Sequence, residues 1–195
     1  MDYFDGDLQV FDDVISEPYL SRWMDFYEKG LSFKRSTTEK EESNNVYFSV
    51  NVGYKQLIEV FDYENTIVPK AQKVCNKVTG KIQRSYINLF NHSDKFDGHI
   101  DYEGILKGDQ YYVSTVLFLN PYWRSEYAGG LIFETGDERG SARIKVENKF
   151  NRLVCFRGDL WHCVEPFSGL RARLTHYCTF SNTEIASRIA DKNKW

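Results

Sequence analysis

The sequence predicts a mainly β protein with N-terminal helices (α+β), in which a β-sandwich or barrel is buttressed by helices. Apolar residues recur at helical spacing only before residue 82, whereas the rest of the chain consists of short strand-like segments separated by Gly, Asn and Asp. The composition agrees, with 14 Phe and 13 Tyr but only 4 Pro. Because no helix separates the later strands, the pattern excludes a parallel α/β sheet.

The N-terminal part contains two predicted helices and a polar segment. After a short apolar stretch, Ser16 has the character of an N-cap, and apolar residues at helical spacing continue to Gly30. A second helix is predicted at 66–78. Residues 34–45, KRSTTEKEESNN, contain no apolar side chain. They predict a solvated loop, which is either inert or a lid over a pocket.

Strands are predicted throughout the remainder of the chain. Each candidate is rich in β-branched and aromatic residues and is bounded by turn-forming residues. The candidates are 82–91, 113–120, 131–134, 143–146, 153–156 and 170–180. A turn at Gly158 and Asp159 is expected to lead into a further strand that carries His162.

Length and charge limit the classes of function. With 195 residues the chain is long enough for one domain that buries about 70% of its unfolded surface. A net charge of −3 without a basic patch argues against a nucleic-acid partner. The acidic start predicts no secretory signal, and the longest mostly apolar stretch, 111–123, is too short to span a bilayer. We therefore expect a cytoplasmic protein whose four cysteines are reduced and structural.

Two His-x-Asp pairs lie close together in the chain. His99 and Asp101 occur in FDGHIDYEG, and His92 and Asp94 occur just before it. On a strand, residues i and i+2 point to the same face, so His99 and Asp101 can converge on one ion. His162 is the candidate third ligand. Two histidines and one carboxylate suit the open octahedral site of non-haem Fe(II) oxygenases, although each histidine alone is equally consistent with a core or surface role.

Several motifs occur in a fixed order over about 82–180. They are His99-x-Asp101, FLN at 118–120, Gly129-Gly130, KFNRLVCFRGD at 149–159, His162-x-Val164-x-Pro166 and Arg171. This order resembles the iron(II)- and 2-oxoglutarate-dependent dioxygenases, and within them the prolyl 4-hydroxylase group of the hypoxia-factor and bacterial or viral type. The resemblance implies a double-stranded β-helix (jelly-roll) barrel in a single dioxygenase domain. It divides 1–195 into a helix-rich support (1–81), a catalytic core (82–180) and a C-terminal tail (181–195).

The resemblance also implies a ligand set. His99, Asp101 and His162 would be the catalytic residues that bind Fe(II). The family has an aromatic residue three positions before the first metal histidine, which Phe96 supplies for His99. The corresponding position before His92 is a leucine. We therefore assign the segment from His92 to Asp94 to a turn, where Asn, Ser and Asp are stabilised by local hydrogen bonds.

A basic residue on the strand after His162 is expected to bind the far carboxylate of 2-oxoglutarate. Arg171 followed by Thr175 matches the hypoxia-type pattern, while Arg173 with Thr175 matches the Arg-x-Ser/Thr pair of other families. We expect Arg171 to be the main anchor and Arg173 to help it or to face the substrate. Alternation along a strand would put both arginines on the face of Thr175 and Tyr177.

Three further positions concern the same pocket. Where the hypoxia-type enzymes have a tyrosine before Leu-Asn, this chain has Phe118, which lacks the hydroxyl. Tyr86 and Asn88 share one face of a predicted strand, so they either compensate by binding the cosubstrate or are structural polar residues. His176 falls on the opposite face from the arginines and is expected to be structural.

The implied function is hydroxylation of an unactivated C–H bond, with 2-oxoglutarate and O2 consumed, succinate and CO2 released, and ascorbate as a candidate reductant. The expected substrate is a prolyl residue in a peptide or protein. A free amino acid or another small metabolite is the alternative within this chemistry. A non-catalytic jelly-roll module that binds a metabolite or a partner protein is the alternative from a different class. No nucleic-acid or membrane partner is expected.

Overall fold

Two antiparallel sheets and four helices are present in the computed structural model, which describes residues 1–29, 34–37, 46–78, 82–92, 94, 97–101, 111–135, 142–168 and 171–182. The helices are α1 (Glu17–Glu28), α2 (Tyr54–Phe61), α3 (Tyr63–Thr66) and α4 (Val68–Val74). The strands are β1 (Asp2–Tyr3), β2 (Leu8–Phe11), β3 (Lys34–Thr37), β4 (Val46–Asn51), β5 (Ile82–Phe90), β6 (Tyr112–Phe118), β7 (Leu131–Thr135), β8 (Ala142–Val146), β9 (Leu153–Arg157), β10 (Trp161–Val164) and β11 (Arg173–Ser181). None of the described helices is long and apolar enough to cross a bilayer.

The larger sheet has the strand order β1-β2-β9-β6-β11-β5-β4-β3, and each adjacent pair is antiparallel. Its central strand, β11, pairs with β6 on one side and β5 on the other. Tyr177 lies opposite both Tyr86 and Val116. Because residues directly opposite each other share a face, this register determines which side chains point to the same side of the sheet.

The smaller sheet has the order β10-β7-β8 and packs over the larger one. Apolar side chains from both sheets fill the space between them. This interior cluster contains Leu8, Val10, Val116, Phe118, Leu131, Phe133, Val146, Val154, Phe156 and Tyr177. Two facing antiparallel sheets around one core form the predicted jelly-roll barrel.

The helices cover the outer face of the larger sheet. Trp23 of α1 is 1% exposed, packs on Phe61 of α2 and donates its indole N–H to the Leu119 carbonyl at 3.3 Å. Leu174 and Cys178 of β11 belong to this helix-side cluster, whereas Tyr177 belongs to the interior one. One face of β11 therefore contacts the helices while the other lines the barrel, so all nine of its residues are buried.

The predicted fold class is confirmed, but the order of helices and then strands is wrong for β1 to β4, which precede or separate the helices. The helix expected at 66–78 is shorter: α4 ends at Val74, because the backbone of Cys75 is extended (φ −147°). Two short helices precede it, α2 and α3, which Asp62 separates with a left-handed backbone (φ 46°). The solvated loop expected from residue 34 is wrong for Lys34–Thr37, which pairs with β4 as an edge strand. This strand was not predicted from its polar sequence, because an edge strand is defined by backbone hydrogen bonds rather than by apolar side chains. Residues 38–45, the rest of the candidate lid, lie outside the described residues.

Candidate metal centre

His162 lies on β10, directly after the predicted turn at 158–159. Its ring packs against Phe133 and Phe156, with centroid distances of 5.9 and 4.7 Å, and the residue is 5% exposed. Its Nδ1 lies 3.0 Å from the Leu160 carbonyl oxygen. When Nδ1–H donates to that carbonyl, Nε2 carries the lone pair that a metal ligand needs.

His99 is held beside His162 by a backbone bridge. The N–H of each residue donates to the carbonyl oxygen of the other, both at 2.9 Å, which extends the smaller sheet beyond β10. Gly98 allows this approach, since a Cβ on Gly98 would lie 1.7 Å from Cζ2 of Trp161. The expected regular strand through 99–101 is therefore wrong: the chain makes this single bridge and then bends.

Asp101 completes the cluster from that bend. Its Oδ1 lies 3.3 Å from Nε2 of His99 and 3.8 Å from Nε2 of His162. The candidate ligand atoms of the three residues all lie within 4.8 Å of one another. The Asp101 side chain is 7% exposed, and its Oδ2 is buried without a hydrogen-bond partner among the described residues. A buried carboxylate with an unsatisfied oxygen is stabilised when a cation binds.

Burial and neighbouring charges determine the protonation of these groups. Burial acts to raise the pKa of Asp101, but the hydrogen bond from His99 and the charge of His162 outweigh it, so the pKa lies below its ordinary value. Burial lowers the pKa of His162, although Asp101 acts in the opposite direction. An ionised carboxylate beside a neutral imidazole is the state in which both groups bind a metal ion.

Polar side chains of β5 and β11 form a strip along the barrel interior. Thr175 lies opposite Asn88 on one side and Phe118 on the other, and Tyr177 lies opposite Tyr86. The rings of Tyr86 and Tyr177 are 4.8 Å apart. Asn88 Oδ1 is buried and has no hydrogen-bond partner within the described parts of the chain. Tyr86, Asn88 and Thr175 thus share the interior face, as alternation predicts.

Arg173 lies at the end of this strip, beyond Thr175. The residue is 1% exposed, and its guanidinium carbon lies 5.7 Å from the centroid of Phe90 and 5.3 Å from that of Phe118. Its Nε donates to the Gly129 carbonyl at 2.6 Å, while Nη2 is buried with no partner among the residues described. Burial lowers the pKa of Arg173 to about 9. A buried guanidinium with an open donor is suited to bind an anion.

Arg171 lies outside the barrel, because β11 begins at Arg173 and not at residue 170 as the sequence predicts. The Arg171 side chain is exposed, with its guanidinium carbon 5.7 Å from the ring centroid of Tyr122. It lines a surface pocket together with Trp123 and Tyr127. Side chains alternate between the two faces of a sheet only within a strand. The prediction that both arginines point to the Thr175 face was therefore wrong for Arg171.

The chain turns at His92, where the sequence predicts a turn. Asp94 N–H donates to the Asn91 carbonyl at 2.9 Å, and Asn91 N–H donates to the Asp94 carboxylate at 2.6 Å. His92 itself is exposed and is absent from the metal-ligand cluster found among the described residues. Phe96, the aromatic residue that favours His99 in the family pattern, lies outside the described residues.

His176 has a structural environment on the helix side of β11. Its ring stacks on Phe61 with a centroid distance of 4.4 Å, and its Nε2 lies 2.9 Å from Ser85 Oγ and 3.3 Å from Cys178 Sγ. Burial lowers the pKa of His176 to about 3 and raises that of Cys178 to about 12. Both groups are therefore neutral at physiological pH, as a buried polar contact requires.

Ser114 and Tyr177 also belong to the centre, although no motif marks them. Their hydroxyl oxygens are 3.5 Å apart, and both side chains interact with the Asp101 carboxylate. Burial and the charge of Asp101 raise the pKa of Tyr177, so it stays protonated. Alternation along β6, where Ser114 shares the face of Phe118, is the sequence signal that identifies the serine.

The residues present fit both Fe(II) and 2-oxoglutarate. Two imidazole nitrogens and a carboxylate are the donor set of a facial metal site with open positions. Asp101 Oδ2 and Arg173 Nη2 are the unsatisfied buried atoms that a cation and an anion would satisfy. A dicarboxylate has an acid group at each end, so one group can reach the metal while the other reaches the guanidinium.

Comparison with known proteins finds a family match over part of the chain. The family model of the 2OG-Fe(II) oxygenase superfamily matches residues 84–179, a range that contains the three candidate ligands and Arg173. No curated protein sequence matches the chain.

Several solved structures share the fold. A prolyl hydroxylase from Trichoplax adhaerens, in complex with a hypoxia inducible factor oxygen degradation domain peptide fragment, has 16% identity and a TM-score of 0.66 over 90% of this chain and 83% of that chain. A Pseudomonas putida prolyl-4-hydroxylase has 16% identity and a TM-score of 0.67 over 89% and 91%. The alpha ketoglutarate dependent carbocyclase SnoK from nogalamycin biosynthesis has 12% identity and a TM-score of 0.64 over 90% and 79%.

Proposed function

We propose that the chain is a 2OG-Fe(II) oxygenase that hydroxylates a prolyl residue in a peptide or protein, a proposal supported by the match of that superfamily's model to residues 84–179. The proposal rests above all on one observation. Two histidines and one aspartate cluster in the barrel, with the His99 side chain 35% exposed and the other two 7% exposed, and they share its interior with a buried arginine whose Nη2 has no partner among the described residues. The prolyl part is supported by the fold shared with the Trichoplax and Pseudomonas enzymes.

We assign the metal ligands as His99, Asp101 and His162. The Leu160 carbonyl orients the His162 ring through Nδ1, and the backbone bridge sets the position of His99. Ser114 and Tyr177 lie close enough to Asp101 to interact with its carboxylate. Contacts of this kind are made to the metal ligands rather than to the metal, and they fix the orientation of the ligands and raise the affinity for the metal.

We assign the cosubstrate anchor to Arg173 rather than to Arg171, because only Arg173 lies in the barrel. Thr175, Tyr86 and Asn88 are proposed as further contacts, since they lie between Arg173 and the metal cluster on the same face. The buried rings of Phe90 and Phe118 exclude water from the salt bridge that a carboxylate would form with Arg173, which strengthens it.

Bound Fe(II) with 2-oxoglutarate supplies a two-electron oxidation. The overall reaction converts substrate C–H, O2 and 2-oxoglutarate into the alcohol, succinate and CO2, so one oxygen atom enters each organic product. The protein's part is to hold both acid groups of the cosubstrate, to keep the ligand carboxylate ionised and to exclude water around the metal.

Two measurements test this function. Anaerobic addition of Fe(II) and 2-oxoglutarate is expected to give a weak visible charge-transfer band, which Asp101→Ala abolishes and the turn variant His92→Ala retains. With O2 and ascorbate added, prolyl peptides are expected to gain the mass of one oxygen atom. The metal assignment fails if the band disappears only in His92→Ala. The prolyl assignment fails if only a non-prolyl compound gains oxygen.

A small-molecule substrate is the second candidate, because SnoK matches this fold almost as well as the prolyl hydroxylases do. Free L-proline and other amino acids in the same assay distinguish the two candidates. The single-domain organisation of 1–195, the requirement for ascorbate, the cytoplasmic location and the lack of a nucleic-acid partner stay predictions of the sequence.

A further inference from the structure

Besides Arg173, the interior face of the larger sheet carries a second arginine, Arg84. Arg84 is on β5 directly opposite Thr179 of β11, and Thr179 shares the barrel-facing side of that strand with Thr175 and Tyr177. Alternation along β5 puts Arg84 on the same side as Tyr86. Arg84 is not among the site residues predicted from the sequence, although Arg84 continues the alternation that identifies Tyr86 and Asn88.

Arg84 lies level with the candidate metal cluster. Thr179 is opposite Ser114 on β6, and Ser114 is opposite Phe156 on β9, so the four residues form one row across the sheet. Within this row, Ser114 interacts with the Asp101 carboxylate and Phe156 packs on the ring of His162. Two strand spacings separate Arg84 from Ser114, about 10 Å between Cα atoms. An extended arginine side chain covers most of that distance.

The charge of Arg84 is available to a ligand. Its side chain is exposed, and no ion pair or hydrogen bond to it is found in the described parts of the chain. Four other arginines are neutralised by carboxylates, in Arg124–Glu126, Arg143–Glu134, Arg152–Asp12 and Arg157–Asp159. Arg22 and Arg171 resemble Arg84 in having no carboxylate partner among the described residues, but both lie outside the barrel face. Beside Arg84, Thr179 is 1% exposed, and its Oγ1 is buried without a partner among the described residues. The row therefore offers a cation and a hydroxyl with unused hydrogen-bonding capacity.

The position of Arg84 relative to Arg173 indicates which ligand it serves. Along β11, Arg173 is at one end of the interior strip, Tyr177 is beside Asp101, and Thr179 is beyond them. A cosubstrate held between Arg173 and the metal occupies the first part of the strip. Arg84 is in the row of Thr179, which is farther from Arg173 than Tyr177 is, so it borders the part of the strip that this cosubstrate leaves free.

We infer that Arg84 binds an acidic group of the substrate, so that the substrate is a carboxylate-bearing compound whose reacting C–H bond lies near that carboxylate. This inference rests on the proposed function and narrows it to acidic prolyl compounds. The acid is either the free carboxylate of proline itself or an acidic side chain next to proline in a peptide. A guanidinium binds a carboxylate through two charge-assisted hydrogen bonds, which a neutral amide cannot match.

The test measures binding to the chain loaded with Mn(II) and 2-oxoglutarate, without O2. The ligands are matched acid and amide pairs: L-proline with L-prolinamide, an acetylated Pro-Glu amide peptide with its Pro-Gln counterpart, and L-leucine with L-leucinamide. We expect the acid of at least one pair to bind roughly 10- to 100-fold more tightly than its amide. Arg84→Gln should abolish the preference, and Arg84→Lys should retain part of it.

Arg124→Gln is the matched control, since it removes an exposed guanidinium from a loop outside the barrel and should keep the full acid preference. Unchanged binding of Mn(II) and 2-oxoglutarate by Arg84→Gln excludes misfolding as the cause. A preference confined to the leucine pair supports Arg84 while contradicting the prolyl proposal. The Arg84 inference is overturned if no acid is preferred by the parent chain, if no pair binds, or if Arg84→Gln keeps the preference.

Discussion

Arg173 is held in position before any ligand binds. Phe90 and Phe118 lie against its guanidinium, and the Gly129 carbonyl accepts its Nε–H. Its Nη2 is buried and has no partner among the described residues. A guanidinium fixed in this way loses little side-chain entropy when it binds a carboxylate. The entropic cost therefore offsets only a small part of the favourable interaction energy.

Arg173→Gln is therefore expected to weaken 2-oxoglutarate binding by roughly 30- to 1,000-fold, because about 2–4 kcal/mol of charge-assisted hydrogen bonding is lost. Arg171→Gln should bind normally, since Arg171 is exposed beside Tyr122. Calorimetric titration of the Mn(II)-loaded variants measures both affinities. If Arg171→Gln loses affinity and Arg173→Gln keeps it, the anchor is Arg171, as the sequence pattern favours.

The two arginines show how far the sequence alone can go. Residue type and motif order were sufficient to select His99, Asp101 and His162, which the structure brings together. Arg171 and Arg173 are two residues apart, so strand alternation treats them as equivalent. Their difference depends on where β11 begins, and a tertiary contact fixes that point. The Asn120 side chain donates to the Ala172 carbonyl and accepts from the Leu174 N–H.

The bridge between His99 and His162 makes Gly98 the most restrictive glycine of the site. A methyl group at this position would overlap the Trp161 indole, 1.7 Å from Cζ2. Gly98→Ala is expected to move the bridge and lower Co(II) affinity roughly 10- to 100-fold. This range is typical when an interaction that orients a metal ligand is lost. Visible absorbance of the Co(II) complex measures this affinity.

Two comparisons make the Gly98 result specific. Gly53→Ala is the matched control, because a Cβ there meets only the flexible end of Gln56. Adding Trp161→Ala to Gly98→Ala should recover part of the Co(II) affinity by removing the overlap. Normal Co(II) binding by Gly98→Ala alone would contradict the role given to the bridge.

At the scale of elements, β11 separates two environments. Its interior face carries the polar strip, while its outer face carries His176 beneath Phe61 of α2. His176 has a pKa of about 3 in the folded chain, compared with an ordinary value of 6.5. Between these values the unfolded chain binds one more proton than the folded chain, so stability rises with pH across this window and falls on acidification.

His176→Asn is expected to reduce this acid sensitivity. The slope of unfolding free energy against pH between 6.5 and 4 should be smaller in the variant by up to about 1.4 kcal/mol per pH unit. Urea unfolding at several pH values measures the slope. Equal slopes in the parent and His176→Asn would show that His176 is not buried at the helix interface.

Element boundaries depended on whether the local pattern matched the tertiary role. Leu153–Arg157 was predicted closely because it is almost continuously apolar, and Ile82–Phe90 because β-branched and aromatic residues recur along it up to Asn91. Lys34–Thr37 was missed because an edge strand needs no apolar side chains. The polar strip of β5 was only partly recognised, since Arg84 by itself has the pattern of a surface residue.

For the whole molecule, the candidate site reduces stability in the absence of ligands. A fully buried guanidinium without a carboxylate partner and an aspartate oxygen without a hydrogen bond are both unfavourable inside a barrel. Binding of the metal and the cosubstrate would satisfy both groups at once. The free energy of unfolding should therefore increase when the ligands bind to the folded state. It should also increase when a mutation removes the buried charge.

The variant Arg173→Leu distinguishes stabilisation by ligands from stabilisation by removal of the charge. Without ligands, the variant should unfold at a higher temperature than the parent, because losing a buried unpaired charge is worth roughly 1–4 kcal/mol and each kcal/mol shifts the midpoint by about 2–4 °C at this chain length. The Gly129 carbonyl loses its donor, which offsets about 1 kcal/mol. With Mn(II) present and 2-oxoglutarate at about 100 times the parent's dissociation constant, the parent gains about 2.7 kcal/mol from the cosubstrate, and the variant gains less than about 1 kcal/mol. Thermal unfolding with metal alone, and then with both ligands, measures each increment, and Arg171→Leu should behave as the parent. A lower midpoint for ligand-free Arg173→Leu would mean that the guanidinium is stabilised by the fold, and its role as an anion site would then lose its physical basis.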